Sequence, residues 1–394
     1  MRPRSTVTTT ALVLALTAGV ASAAPPLSLP TLPGAAPTAA AADLHVRRAA
    51  VSRNVARALG PAGEMRGVVL NDVGVTRSLD TAIADFPRLA AEGVTSVSIY
   101  LYLYVPSPTG STVATGLQTP TDPELQLVTA AAQATGLAVH FQPVLLDTQT
   151  NSWRGRYRPA DLDQFFASYT TAVLHYADLA QSLGVTLFYV GSENEAIAGE
   201  TARWRQVVAQ VRQHYRGALS YMTTGYASSV VKFWNVLDLV AISAYFSLGT
   251  DKAPSYQRMG AAWQQTHLPY LASLAKAYRK PIVLAEVGYR SQRGGFSRPA
   301  DPDDKTALPA PAAQADAYRA LLDAVAKAPG VYGVSWFRWG PATHPLDTSY
   351  SPAGKPAECV LAARWSRDAN VRAVAALPVC DLGLLDQTLN RLGV

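Results

Sequence analysis

Residues 182–192, Ser-Leu-Gly-Val-Thr-Leu-Phe-Tyr-Val-Gly-Ser, hold the pattern that decides the fold. The first two residues end a long amphipathic stretch, Ala160–Leu183, whose apolar spacing predicts a helix, and the others follow it. Gly184 can adopt the left-handed backbone that ends such a helix. Val185–Ser192 is then a nearly continuous apolar run, which is typical of a strand buried on both faces of a parallel sheet. A helix followed at once by a buried strand indicates an α/β protein.

The same unit recurs along the chain, and its number predicts the architecture. Besides Val185–Ser192, seven strands are predicted, namely Arg66–Asn71, Val94–Leu103, Leu137–Leu146, Ala218–Thr223, Leu239–Ala244, Ile282–Glu286 and Val331–Phe337. Amphipathic helices are predicted between them, among them Ser78–Glu92, Asp122–Thr135, Ala202–Arg216, Tyr256–Tyr278 and Ala312–Ala328. Eight strands with helical crossovers predict a (β/α)₈ TIM barrel. An open doubly wound sheet is the alternative, but no Gly-x-Gly-x-x-Gly motif follows the first strand.

Length and composition agree with one large globular domain. The chain has 394 residues, of which 49% are hydrophobic and 16% charged, which excludes wholesale disorder. The formal net charge is +6, and removing Arg2 and Arg4 leaves 32 basic against 28 acidic residues, a net charge of +4. So mild an excess, without a dense basic tract, does not indicate a nucleic-acid partner.

The N-terminus has the three parts of a secretory signal peptide. Arg2 and Arg4 precede a short apolar stretch, and Ala21-Ser22-Ala23 forms a small-residue cleavage site, so residues 1–23 predict a secreted protein cleaved near Ala23. The cleavage site has no Cys that could carry a lipid anchor, and no later apolar run is long enough to span a membrane. A buried N-terminal helix is the alternative. Residues 24–60 are then a Pro/Ala-rich linker and N-terminal extension, and 61–394 the barrel domain.

Two cysteines, Cys359 and Cys380, are the only ones in the chain. In an exported protein an isolated pair predicts a disulfide. It would close a loop of about 20 residues and contribute roughly 3 kcal/mol on the chain-entropy model. The six histidines show no metal-ligand spacing, so no metal or cofactor is predicted.

Two predicted strands end in a carboxylate, and this pair carries the functional hypothesis. Strand four runs into Glu193, and strand seven ends at Glu286. Chemistry in a (β/α)₈ barrel sits at the C-terminal ends of the strands, where strands four and seven face each other across the mouth. Two opposed carboxyl groups, one protonated and one ionised, are what glycoside hydrolysis needs. A helix cap or an ion pair with arginine is the alternative for either residue.

The chain also resembles a known family over about Arg66 to Gly340. The resemblance rests on spread motifs in a fixed order, which include Thr119–Asp122, Ser152-Trp153-Arg154-Gly155, Gly191-Ser192-Glu193 with Trp204-Arg205, Ser243–Phe246, and Ala285–Ser291. These motifs resemble glycoside hydrolase family 113, within the clan of retaining (β/α)₈ glycosidases, a family known for endo-β-1,4-mannanases. The resemblance implies Glu193 as general acid/base and Glu286 as nucleophile. Asn194-Glu195 resembles the Asn-Glu pair of the wider clan, which leaves Glu195 as the alternative acid.

The resemblance further implies supporting residues at the strand ends. Tyr245, after strand six, would donate a hydrogen bond to the nucleophile. Trp336 or Trp339, at the end of strand eight, would form the aromatic floor of the cleavage subsite. Buried core packing is the alternative for either tryptophan, and an ordinary strand tyrosine is the alternative for Tyr245.

Three further candidates lie near strand three. Trp153 is a candidate platform for a neighbouring sugar, or else packs on a surface loop. Asp147 is a candidate to bond sugar hydroxyls, or else caps its loop or pairs with Arg154 or Arg156. Gln142 stands where the family carries basic or His positions that line the sugar subsites. The Trp-Tyr pair expected after strand two is missing as well, since the chain reads Leu103-Tyr104-Val105 there.

Together these features predict a secreted retaining β-glycoside hydrolase, most simply endo-acting on β-mannan or a related β-linked polysaccharide or oligosaccharide. A clan enzyme for another linkage is one alternative. A non-catalytic carbohydrate-binding or wall-associated barrel is the other, motivated by the departures on strands two and three. The sequence gives no indication of the oligomeric state.

Overall fold

A computed structural model describes residues 51–74, 76–150, 152–250, 255–301, 306–341, 346–368, 371 and 380. The chain divides into two compact units, Met1–Leu44 and His45–Val394, and the described residues all belong to the second. The predicted signal peptide and most of the segment 24–60 therefore lie outside the described residues. Within the described ranges no helix is long and apolar enough to cross a membrane.

The chain forms a closed barrel of eight parallel strands in sequence order, with the first strand paired to the last. The strands are β1 (Met65–Leu70), β2 (Ser96–Val105), β3 (Ala138–Asp147), β4 (Leu187–Ser192), β5 (Ala218–Thr224), β6 (Val240–Ser243), β7 (Ile282–Val287) and β8 (Val331–Trp336). The predicted (β/α)₈ barrel is confirmed, and its closure excludes the open sheet. All eight predicted strands correspond to observed ones, because each is a buried apolar run next to a helix end.

Helices connect the strands around the barrel, except that two short 3₁₀ turns, Ala227–Ser229 and Trp234–Val236, join β5 to β6. The helices are α1 (Arg53–Leu59), α2 (Thr76–Ala91), α3 (Asp122–Ala134), α4 (Leu162–Ser182), α5 (Thr201–His214), α6 (Tyr256–Ala262), α7 (Leu268–Tyr278), α8 (Pro311–Val325) and α9 (Pro356–Trp365). A π-helical turn at Trp263–His267 joins α6 to α7, so the predicted helix Tyr256–Tyr278 is continuous but irregular. Helix α3 begins with a reciprocal capping box between Thr121 and Glu124. Gly184 has a φ of +69°, as the end of α4 requires.

Helix α1 covers the N-terminal end of the barrel. Its residues Val55, Ala58 and Leu59 form one apolar cluster with side chains from the first positions of several strands, such as Met65 and Leu187. One end of the barrel interior is thereby sealed by chain that precedes β1. Because this end is closed, access to the strand ends that carry the glutamates is from the opposite face.

The C-terminal part of the described chain packs on the outside of the barrel. Helix α9 lies against α8, and Cys359 in its first turn forms a disulfide with Cys380, with 5.8 Å between the Cα atoms. The predicted pairing of the two cysteines is therefore present in the structure.

Candidate active site

Glu193 and Glu286 lie at the carboxyl ends of β4 and β7. Glu193 follows the last residue of β4 directly, and Glu286 is the penultimate residue of β7. Both side chains are buried, with relative exposures of 5% and 3%. Burying a carboxylate is costly unless it is hydrogen-bonded or paired, so the partners of the two side chains determine what each can do.

Three side chains hold the Glu286 carboxylate, one each from β2, β3 and the segment that follows β6. The Tyr245 hydroxyl donates to Oε1 at 2.8 Å, the Gln142 amide donates to Oε2 at 3.3 Å, and the Tyr100 hydroxyl also donates to Oε2. The hydrogen bond expected from Tyr245 is thus present. Burial raises the pKa of Glu286 to about 6, with repulsion from Glu193 in the same direction, while Arg154 and the tyrosine hydroxyls oppose the rise. The geometry gives an oriented carboxylate that is ionised at neutral pH.

Glu193 has an unusual backbone conformation and a cationic partner. Its φ is +49°, a left-handed value that is uncommon outside glycine, and its N–H donates to the Met222 carbonyl at 2.7 Å. The Trp153 indole N–H donates to Glu193 Oε2 at 3.0 Å, and Arg154 Nη2 lies 2.8 Å from the same oxygen. Burial disfavours the charge on Arg154, but Glu193 outweighs this and raises the pKa of Arg154 above its ordinary value.

Asp147 shapes the loop that carries Trp153 and Arg154. Its carboxylate accepts hydrogen bonds from the backbone N–H groups of Gln149 at 3.0 Å and Ser152 at 2.9 Å, and it also accepts the Tyr157 hydroxyl at 3.1 Å. Burial alone would raise the pKa of Asp147, but these and the neighbouring loop donors hold it well below its usual range. The geometry favours the loop-cap alternative over sugar binding. Arg154 pairs with Glu193, so the ion pair considered between Asp147 and Arg154 is not formed.

Glu195 faces away from Glu286, toward the end of β5. It accepts the backbone N–H of Thr224 at 2.7 Å and the Thr223 hydroxyl at 3.3 Å, and burial raises its pKa. Glu193 is the carboxyl group whose repulsion raises the pKa of Glu286. Asn194 is 2% exposed, and its side-chain oxygen has no hydrogen-bond partner among the described residues. This arrangement supports Glu193 over Glu195 as the carboxyl group that faces Glu286.

The two tryptophans at the end of β8 do not line the mouth, so the expected aromatic floor is wrong for both. Trp336 is fully buried and stacks on Tyr318 of α8, with ring centroids 3.6 Å apart. Trp339 is 2% exposed and donates its indole N–H to Asp85 of α2 at 2.8 Å. Both rings therefore pack between the barrel and its outer helices, which was the alternative considered for each.

Phe337, which directly follows Trp336 and the end of β8, is the aromatic residue there that lies toward the site. Its ring lies 6.1 Å from the rings of Tyr100 and Tyr245, and 5.3 Å from that of Tyr350. Because Tyr100 and Tyr245 both hold Glu286, Phe337 borders the nucleophile candidate.

The sequence did not predict three of the contacts described above, namely those of Tyr100, Arg154 and Phe337. A signal for Tyr100 exists in β2, where Ser96, Ser98, Tyr100 and Tyr102 alternate with aliphatic residues. In a strand such alternation sends the polar and aromatic set to one face, here the barrel interior. Arg154 and Phe337 lie in irregular segments, where no periodicity predicts direction. Among the described residues no group of His, Cys, Asp and Glu is placed to hold a metal ion.

Comparisons with known proteins agree with this geometry. The model of Glycoside Hydrolase Family 113 matches residues 75–354. The structure of a β-mannanase of that family from Alicyclobacillus acidocaldarius is 28% identical, with a TM-score of 0.70, over 79% of this chain and 99% of that one. A second β-1,4-mannanase of the family is 23% identical with a TM-score of 0.67, over 77% of this chain and 99% of that one.

Matches outside the family share the fold alone. An endo-β-1,4-mannanase from Thermotoga petrophila is 13% identical with a TM-score of 0.51, over 78% of each chain. A search of curated protein sequences gives no match. The matched residues 75–354 include β2 to β8 and both strand-end glutamates. The chain therefore belongs to glycoside hydrolase family 113 and is a β-glycoside hydrolase.

Proposed function

We propose that this protein is a secreted, retaining, endo-acting glycoside hydrolase of β-mannan or a closely related β-linked polysaccharide. The observation that carries the proposal is the pair of buried carboxyl groups at the ends of β4 and β7. Glu286 is oriented by three donors, and Glu193 is the other carboxyl group that perturbs it. A retaining mechanism needs this division between a fixed, ionised nucleophile and a second carboxyl that exchanges a proton.

In the proposed mechanism Glu286 attacks the anomeric carbon through a carboxylate oxygen. As the bond from that carbon to the leaving oxygen breaks, the leaving oxygen keeps the electron pair and takes the proton of Glu193. The resulting glycosyl ester is then attacked by water, which gives a proton to the Glu193 carboxylate while the Glu286 carboxylate departs. Two inversions restore the β configuration. The hydrogen bonds from Tyr245, Gln142 and Tyr100 favour the ionised form of Glu286 that both steps need.

Mannan is the first substrate to test because both family relatives described above bear the name of β-mannanases. Trp153 is 42% exposed and donates its indole N–H to Glu193, so its ring is a surface on which a departing sugar could stack. A second candidate is another β-linkage. It is favoured by Phe337, which borders Glu286 with a smaller ring than the expected tryptophan, and by Gln142 in place of a cationic residue.

The test is a product screen with the mature protein on β-mannan, glucomannan, β-glucan, xylan and galactan. We expect soluble oligosaccharides of several lengths from one polymer, because an endo enzyme cleaves internal bonds. Glu286→Gln should lose turnover by several orders of magnitude while its circular dichroism stays unchanged. Products from an exo enzyme would be a single short sugar, and activity near the wild-type level in Glu286→Gln would refute the assignment.

The two carboxyl roles are separated by a matched pair of variants. Glu193→Ala should still cleave a dinitrophenyl glycoside, whose leaving group needs no proton, and added azide should restore its turnover and give a β-glycosyl azide. Glu195→Gln should retain far more activity on polymer than Glu193→Gln. An α-glycosyl azide would contradict the retaining mechanism, and equal losses in the two glutamine variants would contradict the choice of Glu193.

Export is proposed from the leader at residues 1–23. The observation that supports it is the order of basic start, apolar stretch and small-residue site. Expression of the full chain in a secreting bacterial host, with mass analysis of the protein in the medium, should give a mature N-terminus near Ala24. An uncleaved chain retained in the cells would refute this part of the proposal.

A further inference from the structure

Both donors to Glu193 bind the same oxygen atom. Trp153 Nε1 and Arg154 Nη2 approach Oε2, at 3.0 and 2.8 Å, whereas Oε1 accepts no hydrogen bond from any described residue. An indole N–H and a guanidinium can only donate, so Oε2 is occupied as an acceptor and is a poor site for a proton. Oε1 is left as the oxygen on which a proton can reside.

The two donors are themselves held in place. Arg154 Nε donates to the Ser192 carbonyl at 3.2 Å, which ties the guanidinium to the residue next to Glu193. The Asp147 carboxylate accepts hydrogen bonds from backbone N–H groups of the loop. Gly155 lies so close to the Trp153 indole that a Cβ atom at position 155 would overlap the ring. The loop thus fixes Trp153 and Arg154 before any substrate arrives.

We propose that Trp153 and Arg154, here called the Trp153–Arg154 clamp, are positioning residues that assign the catalytic proton of Glu193 to Oε1. This inference rests on the proposed function and names the atom through which its proton passes. Oε1–H gives its proton to the leaving oxygen as that bond breaks, and Oε1 later takes a proton from the attacking water. The clamp keeps Oε2 anchored through both steps, so the carboxyl group does not rotate between them.

The clamp has two components that differ in range. The indole donor is neutral and reaches Glu193 alone. The guanidinium is charged, and its field also favours the ionised form of Glu286. Removing the charge of Arg154 should therefore move both limbs of the pH profile, while removing the indole N–H of Trp153 should move only the limb that depends on Glu193. This difference separates the clamp from a merely structural role, which predicts lower activity with unchanged pH limits.

The test measures the pH profile of kcat/KM on β-1,4-mannohexaose, or on the oligosaccharide of whichever polymer the wild type cleaves. For Arg154→Gln we expect both limbs of the profile to move to higher pH, by about one unit or more, because an opposite charge within ~4–6 Å typically shifts a carboxyl by 1–3 units. For Trp153→Phe we expect the alkaline limb alone to move, by less than one unit, with kcat falling more than KM changes.

Two further variants complete the design. Gly155→Ala should reproduce the Trp153→Phe profile, because its methyl group displaces the indole without touching Glu193, and it keeps the test available if Arg154→Gln does not fold. Arg156→Gln is the matched control, since Arg156 is an exposed arginine in the same turn and should leave both limbs in place. Unchanged limbs in Arg154→Gln, Trp153→Phe and Gly155→Ala would overturn the clamp alone. A wild type that cleaves no polymer would overturn the proposed function and the clamp with it.

Discussion

The seal at the N-terminal end of the barrel makes the stability of the protein depend on pH through one histidine. His140 on β3 is fully buried, and its Nε2 donates to the Ala58 carbonyl of α1 at 3.0 Å. Its Nδ1 lies 3.3 Å from the Ser98 hydroxyl, which donates to it in this tautomer. Burial lowers the pKa of His140 to about 4, against the opposing effect of the Ala58 hydrogen bond.

The direction and size of the effect follow from linkage. The unfolded chain takes up a proton on His140 as the pH falls below about 6.5, while the folded chain does so only near pH 4. Stability is therefore lost as the pH falls through that window. The loss attributable to His140 is about 2 kcal/mol at pH 5 and about 3 kcal/mol at pH 4, relative to pH 7.5.

The perturbation is His140→Gln, which keeps an N–H donor for Ala58 and cannot titrate. Urea unfolding of both proteins at pH 7.5, 5 and 4 gives free energies of unfolding whose difference isolates His140. The wild type should lose about 3 kcal/mol more than the variant between pH 7.5 and 4. His175→Gln is the control, because His175 is an exposed residue of α4 and should leave the wild-type slope unchanged to within about 1 kcal/mol. Parallel pH dependences in wild type and His140→Gln would refute the reasoning.

Three further predictions concern the site and the outer layer. Tyr100→Phe removes a hydrogen-bond donor to Glu286, so the pKa of Glu286 should rise above about 6 and the acid limb of the kcat/KM profile should move to higher pH. The value of kcat/KM should fall by about 10- to 150-fold. An acid limb that does not move would contradict this prediction. Trp336→Ala should destabilise the protein by about 3–5 kcal/mol in thermal or urea unfolding with KM little changed, whereas a substrate platform would show the reverse. Replacing Cys359 and Cys380 by serine should cost roughly 3 kcal/mol of stability and leave kcat/KM intact at 25 °C; a loss of activity in the folded variant would contradict a purely stabilising disulfide.

The agreement between sequence and structure is best where the signal is local. The strand Val185–Ser192 and the observed β4 end at the same residue, because apolar runs and a helix-ending glycine are read from neighbours in the chain. Glu193 and Glu286 could be located for the same reason, since each follows directly from a strand's apolar run. Tyr245 was found through the family motif, and its contact with Glu286 follows from the adjacent positions of β6 and β7.

The sequence alone determined the barrel, the two strand-end carboxyl groups and the disulfide pair, because periodicity, helix ends and a single cysteine pair leave few choices. Only the tertiary structure decided that Phe337, and neither Trp336 nor Trp339, is the aromatic residue at the end of β8 that borders the site. Trp336 stacks on Tyr318, and Trp339 donates a hydrogen bond to Asp85 of α2. The ring of Phe337 lies beside that of Tyr100, which is one of the donors to Glu286. The pairing of β7 with β8 shifts register before Trp336, so the direction of a side chain there depends on the neighbouring strand and not on the local pattern.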